Sequence, residues 1–232
     1  MRFLALATDY DGTLAANGRV EAGTLAALRR LRASGRKAIL VTGRELPDLK
    51  RVFPRLDLFD RVVAENGALL LRPRSGKRLL LAAPPPPEFV ARLRARGVPV
   101  SVGRAIVATR QPYQAAVLQA IHELGLDLHI IFNKESVMVL PTGINKVTGL
   151  QRALEELQLA PDSVAGIGDA ENDHPFLALC GCAAAVANAL PAVKDRVDLV
   201  TAAAEGAGVV ELINQLLDGD LALRARRRPR RP

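Results

Sequence analysis

The chain has little of what several functional classes require. Its 232 residues include no tryptophan, aromatics make up only 3%, and there are two cysteines and three histidines. Scarce aromatics leave no platform on which nucleic-acid bases could stack, and two cysteines cannot frame a disulfide-stapled fold. Cys180 and Cys182 stand two apart in LCGCAAAV, where a mutual disulfide would be strained and a metal would lack further ligands. They read as small buried residues of a protein kept in a reducing cytoplasm. No window reaches the roughly 18 uninterrupted apolar residues of a membrane span. The opening MRFLALATDYDGT runs from one Arg through a short apolar stretch straight into acids, which is expected of a strand and not of a signal peptide.

Balanced charge is also missing at first sight, since 32 basic residues face 24 acidic ones for a net +8. Six of the basic residues, Arg224, Arg226, Arg227, Arg228, Arg230 and Arg231, crowd the terminal ALRARRRPRRP. Removing them leaves 26 against 24, a net of +2. A nucleic-acid-binding protein is thus an alternative that rests on residues 224–232 alone, a tail expected to be disordered because it has no apolar face. The near-neutral body, 49% hydrophobic in the chain as a whole, is ordinary for a folded domain with a sizeable core.

What is present is an alternation of apolar strands with amphipathic helices, the pattern of an α/β, doubly wound, mostly parallel sheet. Phe3 to Ala7 is apolar throughout, as a strand covered on both faces should be. Leu25, Leu28 and Leu31 follow at helical spacing, with Gly35 placed to end the helix. KAILVTG at 37–43 reads as the next strand and RVVAENGALLL as two more around a turn at Glu65-Asn66-Gly67. Pro84 to Pro87 then form a stiff run that neither helix nor central strand can absorb. From 84 to 141 the reading is helix, hairpin, helix, hairpin, a small α+β insert; the parallel pattern resumes with helix 145–158 and strand SVAGIG at 163–168. Residues 1–83 and 142–223 are thereby expected to form one catalytic core around a cap at 84–141.

The chemistry concentrates at strand ends. Asp9-Tyr10-Asp11-Gly12-Thr13 follows the first strand, where ligands of doubly wound sheets bind. Two carboxylates two residues apart can face that crevice together, with Gly12 turning the backbone sharply beside them. One can attack phosphorus while the other exchanges protons with the leaving oxygen and with water. Thr42 and Gly43 in VTGR end the second strand and can hold a phosphoryl oxygen. Lys146 opens a helix against the dipole preference, which suits an ammonium that neutralises charge beside a transferring phosphate. Gly168-Asp169-Ala170-Glu171-Asn172-Asp173 gathers three acids where a hydrated Mg²⁺ could sit, shared with Asp9.

These motifs, in this order, make the chain resemble the haloacid dehalogenase (HAD) superfamily. DYDGT is similar to motif I, Thr42 in VTGR to motif II, Lys146 in GINKVTGL to motif III and GDAENDHPFL to motif IV. ENGA at 65–68, VANALPAVKDRVDLVT and GAGVVELI resemble the Cof-type branch of subclass IIB, whose cap lies between motifs II and III. The resemblance implies a Mg²⁺-dependent phosphatase acting on a small phosphorylated metabolite, a sugar phosphate or a phosphoglycolate-like ester, through an aspartyl-phosphate. It implies Asp9 as nucleophile, Asp11 as general acid and base, and Thr42, Gly43, Lys146 and Asn172 at the phosphate. It further implies Asp9, the Asp11 backbone carbonyl and Asp169 as metal ligands, with Asp173 supporting the metal's water shell or Lys146. A phosphomutase of the same fold is the alternative, against which the modest insert counts.

Within the insert, Arg104, Tyr113, His129, Asn133, Lys134 and Glu135 are polar groups near expected turns. Arg104, after the Gly103 turn, is the strongest candidate for recognising a carboxylate or a second phosphate. Glu65 and Asn66 are placed near the cleft by the resemblance, without a stated role.

Overall fold

The computed structural model describes residues 1–221, so the Arg-rich tail at 224–232 lies outside the described residues. The chain opens with β1 (Ala5–Thr8), buried along its whole length, then α1 (Ala22–Ala33), β2 (Lys37–Val41) and α2 (Leu46–Val52). β3 (Arg61–Ala64) and β4 (Leu69–Leu71) flank a 3-10 turn at Glu65–Gly67, and β5 (Arg78–Leu80) follows, a strand the sequence reading did not resolve. Next come α3 (Pro87–Ala95), β6 (Ser101–Val102), β7 (Val107–Arg110), α4 (Gln114–Glu123), β8 (Leu128–Asn133) and β9 (Ser136–Pro141). The last section holds α5 (Lys146–Leu157), β10 (Val164–Gly168), α6 (His174–Leu179), β11 (Cys182–Ala185), α7 (Pro191–Lys194), β12 (Leu199–Val200) and α8 (Glu205–Gly219).

Among the described residues these strands build two sheets. The larger has the order β12-β11-β10-β1-β2-β3-β4-β5, parallel from β12 to β3 and antiparallel at β3-β4-β5. It is the α/β architecture that the alternation of strands and helices implies. From β1 the chain first moves outward to β2, and it later returns to lay β10 on the opposite side of β1. That reversal opens a crevice at the carboxyl ends of β1 and β10, the place where such sheets hold ligands. The register pairs Thr8 with Ile167 on one side and with Leu40 on the other, so the residues just past β10, β1 and β2 emerge side by side.

The smaller sheet, β6-β7-β9-β8, is antiparallel. Its two faces follow the period of two along β9. Val139 packs with Val107 under Phe89 and Leu93 of α3 and Val117 and Ala120 of α4. Met138 and Leu140 turn the other way, joining Ala105, Ile106 and Ala68 in a separate cluster. One face is therefore covered by helices and the other meets the larger sheet's crevice.

α5 is fastened to the larger sheet by Glu156. Its carboxylate accepts from Arg61 Nε of β3 (2.8 Å) and from Arg72 Nε and Nη2 beyond β4 (2.9 and 2.6 Å). The Arg72 bonds foremost, with Arg61 in support and against the effect of burial, pull the Glu156 carboxyl from its ordinary value near 4.5 to about 2. Because the folded chain keeps this group ionised where the unfolded chain takes up a proton, the stabilisation is complete above about pH 4.5 and decays as pH falls towards 2. Glu156→Gln is expected to cost about 1.5 kcal/mol at pH 7, or ~3 °C in Tm for a chain of this size. Thermal melts should show that gap narrowing steadily between pH 4.5 and 3, and a gap that widens there would refute the linkage.

Candidate active site

Asp9 follows β1 and Asp169 follows β10, and the pairing of those strands makes the two carboxylates neighbours. Asp173, four residues on, completes a buried group whose candidate ligand atoms lie within 4.8 Å of one another. Such a concentration of acids needs cations, and Lys146 supplies the first. Its ammonium is buried and donates to Asp9 Oδ1 and Asp173 Oδ1, both at 2.6 Å. Burial by itself would lower the Lys146 pKa, but the Asp173 and Asp9 charges outweigh it and hold the group firmly protonated. Asp9 is raised well above the usual carboxylate range, chiefly by burial, with Asp173 and Asp169 adding repulsion that Lys146 only partly offsets.

Lys146 occupies the first turn of α5, where the helix dipole disfavours a cation; its two carboxylates overcome that preference. The helix start is fixed by Asn145, whose side chain accepts from Val147 N (2.9 Å) and Thr148 N (3.3 Å) while Thr148 Oγ1 accepts from Asn145 N (3.1 Å). This capping box aims Lys146 at the crevice. Gly67 lets the box approach: its φ is +109°, and a Cβ there would lie 1.8 Å from the Asn145 carbonyl oxygen.

Asp173 is engaged through both oxygens, one of them by Lys146. Its second oxygen already accepts from the backbone N–H groups of Asp169 (2.9 Å) and Ala170 (3.0 Å). Asp169 is held by Thr13 Oγ1 at 2.9 Å and by Lys134 Nζ at 2.9 Å. Hard carboxylate oxygens, with a lysine ammonium on each of the three carboxylates, form a donor set suited to a hard divalent cation.

Asp11 stands apart from this group. Its carboxylate lies on the cavity wall, where Arg44 grips it with two bonds, Nε to Oδ2 at 2.6 Å and Nη2 to Oδ1 at 2.7 Å. Arg44 also binds Asp48. The sequence reading passed over Arg44, although it sits inside the VTGR string that carries Thr42. Thr42 is buried, and its Oγ1 accepts from Arg44 N at 3.1 Å. Asp9, Asp11, Thr42 and Gly43 all line one cavity of about 780 Å³ between the two sheets.

The other expected residues divide. Asn133 at the end of β8, and Lys134 and Glu135 in the turn to β9, line the cavity. Arg104, the favoured cap residue, is exposed and is absent from the cavity lining. The turn that carries it docks instead on Glu65, whose Oε2 accepts from Ala105 N at 2.9 Å. Tyr113 packs in the cap's own core and His129 lies along β8 opposite Leu140. Asn66 and Asn172 are buried and bonded to each other at 3.2 Å. Glu65 and Asn66 both have left-handed φ, 51° and 53°, a costly backbone that swings their side chains to the cap and to Asn172.

A family profile of haloacid dehalogenase-like hydrolases matches residues 6–97 and 106–213. The chain belongs to that family. A phosphoglycolate phosphatase of Methanothermobacter thermautotrophicus is 30% identical over 92% of this chain and 98% of its own length. Phosphoglycolate phosphatase 2 of Saccharolobus solfataricus is 28% identical over 94% of each. A haloacid dehalogenase-like hydrolase of Bacteroides thetaiotaomicron superposes with a TM-score of 0.78 at 17% identity, covering 92% of this chain and 99% of that one. A subclass IIB sugar phosphatase gives 0.74 at 20%, covering 91% and 98%. The fold is that of this subclass, and the family hydrolase is a phosphatase. Among the described residues no helix is long and apolar enough to cross a membrane.

Gly67→Ala is expected to disturb the Lys146 helix start, since the new Cβ meets backbone and not a movable side chain. Overpacking and left-handed strain together should cost roughly 3 kcal/mol or more and lower phosphatase activity with it. Gly76→Ala, with φ +68° but open space around its Cβ, should cost only ~1 kcal/mol and leave activity intact. Melting temperatures and initial rates of the two variants would separate close approach from backbone strain; equal losses would rule the close approach out.

Proposed function

We propose that the protein is a Mg²⁺-dependent phosphomonoesterase of the cytoplasm that hydrolyses a small phosphorylated metabolite, of the phosphoglycolate kind, through a phosphorylated Asp9. The observation that carries this reading is Lys146 bridging Asp9 and Asp173 at the point where β1 and β10 part. The bridge occupies one Asp9 oxygen and leaves the other for attack. The relatives named phosphoglycolate phosphatases support the substrate class, and the buried thiols of Cys180 and Cys182 fit a reducing compartment.

In this scheme an Asp9 oxygen forms a bond to phosphorus as the bond from phosphorus to the ester oxygen breaks. Asp11 gives its proton to the departing alkoxide. The resulting Asp11 carboxylate then takes a proton from water, whose oxygen attacks phosphorus and releases Asp9 and inorganic phosphate. Thr42 Oγ1, the backbone at Gly43 and the Lys146 ammonium hold the phosphoryl oxygens, and the Arg44 fork fixes the direction from which Asp11 acts. Mg²⁺, held by Asp9, Asp169 and the Asp11 backbone carbonyl, would supply positive charge for those oxygens. Asn172, bonded to Asn66 beside Gly43, borders the phosphate site and does not enter the proton transfers.

Asp9→Asn should abolish turnover, with residual activity below about a hundredth of wild type, while Tm changes little, because the isosteric amide oxygen can still accept from Lys146 and Asp173 keeps a balancing charge beside it. Chelation with EDTA should remove activity and added Mg²⁺ restore it. Turnover that survives the substitution would exclude the covalent route, and turnover that survives EDTA would exclude the metal.

A further inference from the structure

We propose that Lys134 is the specificity residue of the cap, an ammonium that binds a carboxylate placed close to the scissile phosphate ester. The proposal deepens the phosphatase reading and rests on it.

Lys134 sits at the turn between β8 and β9 with φ 53°, and its side chain crosses from the cap to the core. Its Nζ donates to Asp169 Oδ2 at 2.9 Å and would lie 3.1 Å from a Cβ at Gly12. The side chain is nonetheless half exposed, at 54%. It is thus a long, partly exposed stem whose charge rests on Asp169, in the carboxylate group that includes Asp9. Among the described residues that line the cavity, the basic ones are Arg44 and Lys134. Arg44 is committed to Asp11 and Asp48. Lys134 rests on Asp169, which belongs to the buried acid group fit for a divalent cation, so a cation there takes over the neutralisation of Asp169 and frees the ammonium for another anion.

Two features define that anion. Lys134 touches Asp169, which has a carboxylate oxygen within 4.8 Å of one of Asp9, so the space between the ammonium and the phosphoryl site is short. A carboxylate attached one carbon beyond the ester oxygen falls within it, whereas a long sugar chain places its far end elsewhere. The outer lining also carries Glu45 and Glu135, which repel a second phosphate held farther out. The class implied is a phosphate monoester of a short hydroxy acid, with Lys134 pairing its carboxylate in a charge-assisted bond.

Lys134→Asn keeps a residue that tolerates left-handed φ while removing the charge. Wild type and variant are compared on 2-phosphoglycolate and on ethyl phosphate, which is similar in size but lacks the carboxylate. The variant should lose about tenfold or more in kcat/KM on phosphoglycolate, mostly through KM, and change less than about twofold on ethyl phosphate. A calorimetric Mg²⁺ titration adds a reading without turnover: with no ammonium competing for Asp169, the variant should bind the ion about threefold or more tightly. Equal losses on both esters, no loss on either, or unchanged or weaker Mg²⁺ binding overturns the proposal. Wild-type enzyme that hydrolyses ethyl phosphate without preferring phosphoglycolate also overturns it, leaving the phosphatase reading intact. Hydrolysis of neither ester would overturn the phosphoglycolate-type substrate of the proposed function, and this proposal with it.

Discussion

The structure depends on one buried cation. Lys146 is buried, its ammonium 5.9 Å from the centre of the Phe176 ring, and such a group is tolerable only with its charge compensated. Asp9 and Asp173 compensate it, and they come from β1 and from the segment after β10. The ion triad therefore fixes three separate stretches of chain relative to one another. It holds Asp9 at a fixed direction through one carboxylate oxygen, and it engages one oxygen of Asp173 while the other takes two backbone N–H groups.

Around that centre the site is organised by who neutralises whom. Lys146 answers Asp9 and Asp173 from below, Arg44 answers Asp11 from the side, and Lys134 answers Asp169 from the cap. The first two pairings lie within the larger sheet and its connections, whereas the third crosses to the smaller sheet. A cation that bridges two units is the one whose partner can change as ligands arrive, because its stem can move without disturbing a packed core. The apolar contact of Met138, Leu140 and Ile106 with Ala68 and the bond from Ala105 to Glu65 hold the cap at the distance that makes this exchange reachable.

Much of the fold was legible because its signals are local. An apolar run such as Phe3 to Ala7 can only be a strand buried on both faces, and the leucine spacing of α1 with Gly35 beyond it marks one helix and its end. The proline run at 84–87 stands immediately before α3, which begins at Pro87 and packs on the smaller sheet. β5 escaped notice because three residues with an exposed Arg78 carry no periodicity. α7 escaped because four residues after Pro191 are too few to show an amphipathic face.

The sequence by itself determined which groups are available: two acids two apart after a strand, a lysine at a helix start, and a cluster of acids after another strand. Those choices are written in the motif strings because strand ends and helix starts are local features. Only the tertiary structure decided the pairings, since a charge finds its partner through packing and not through spacing along the chain. Hence Arg44 emerged as the clamp on Asp11. Hence also Arg104 was left outside the cavity while Lys134, equally unremarkable as a letter, was carried onto Asp169 by the β8–β9 turn, a position set by how one sheet rests on another.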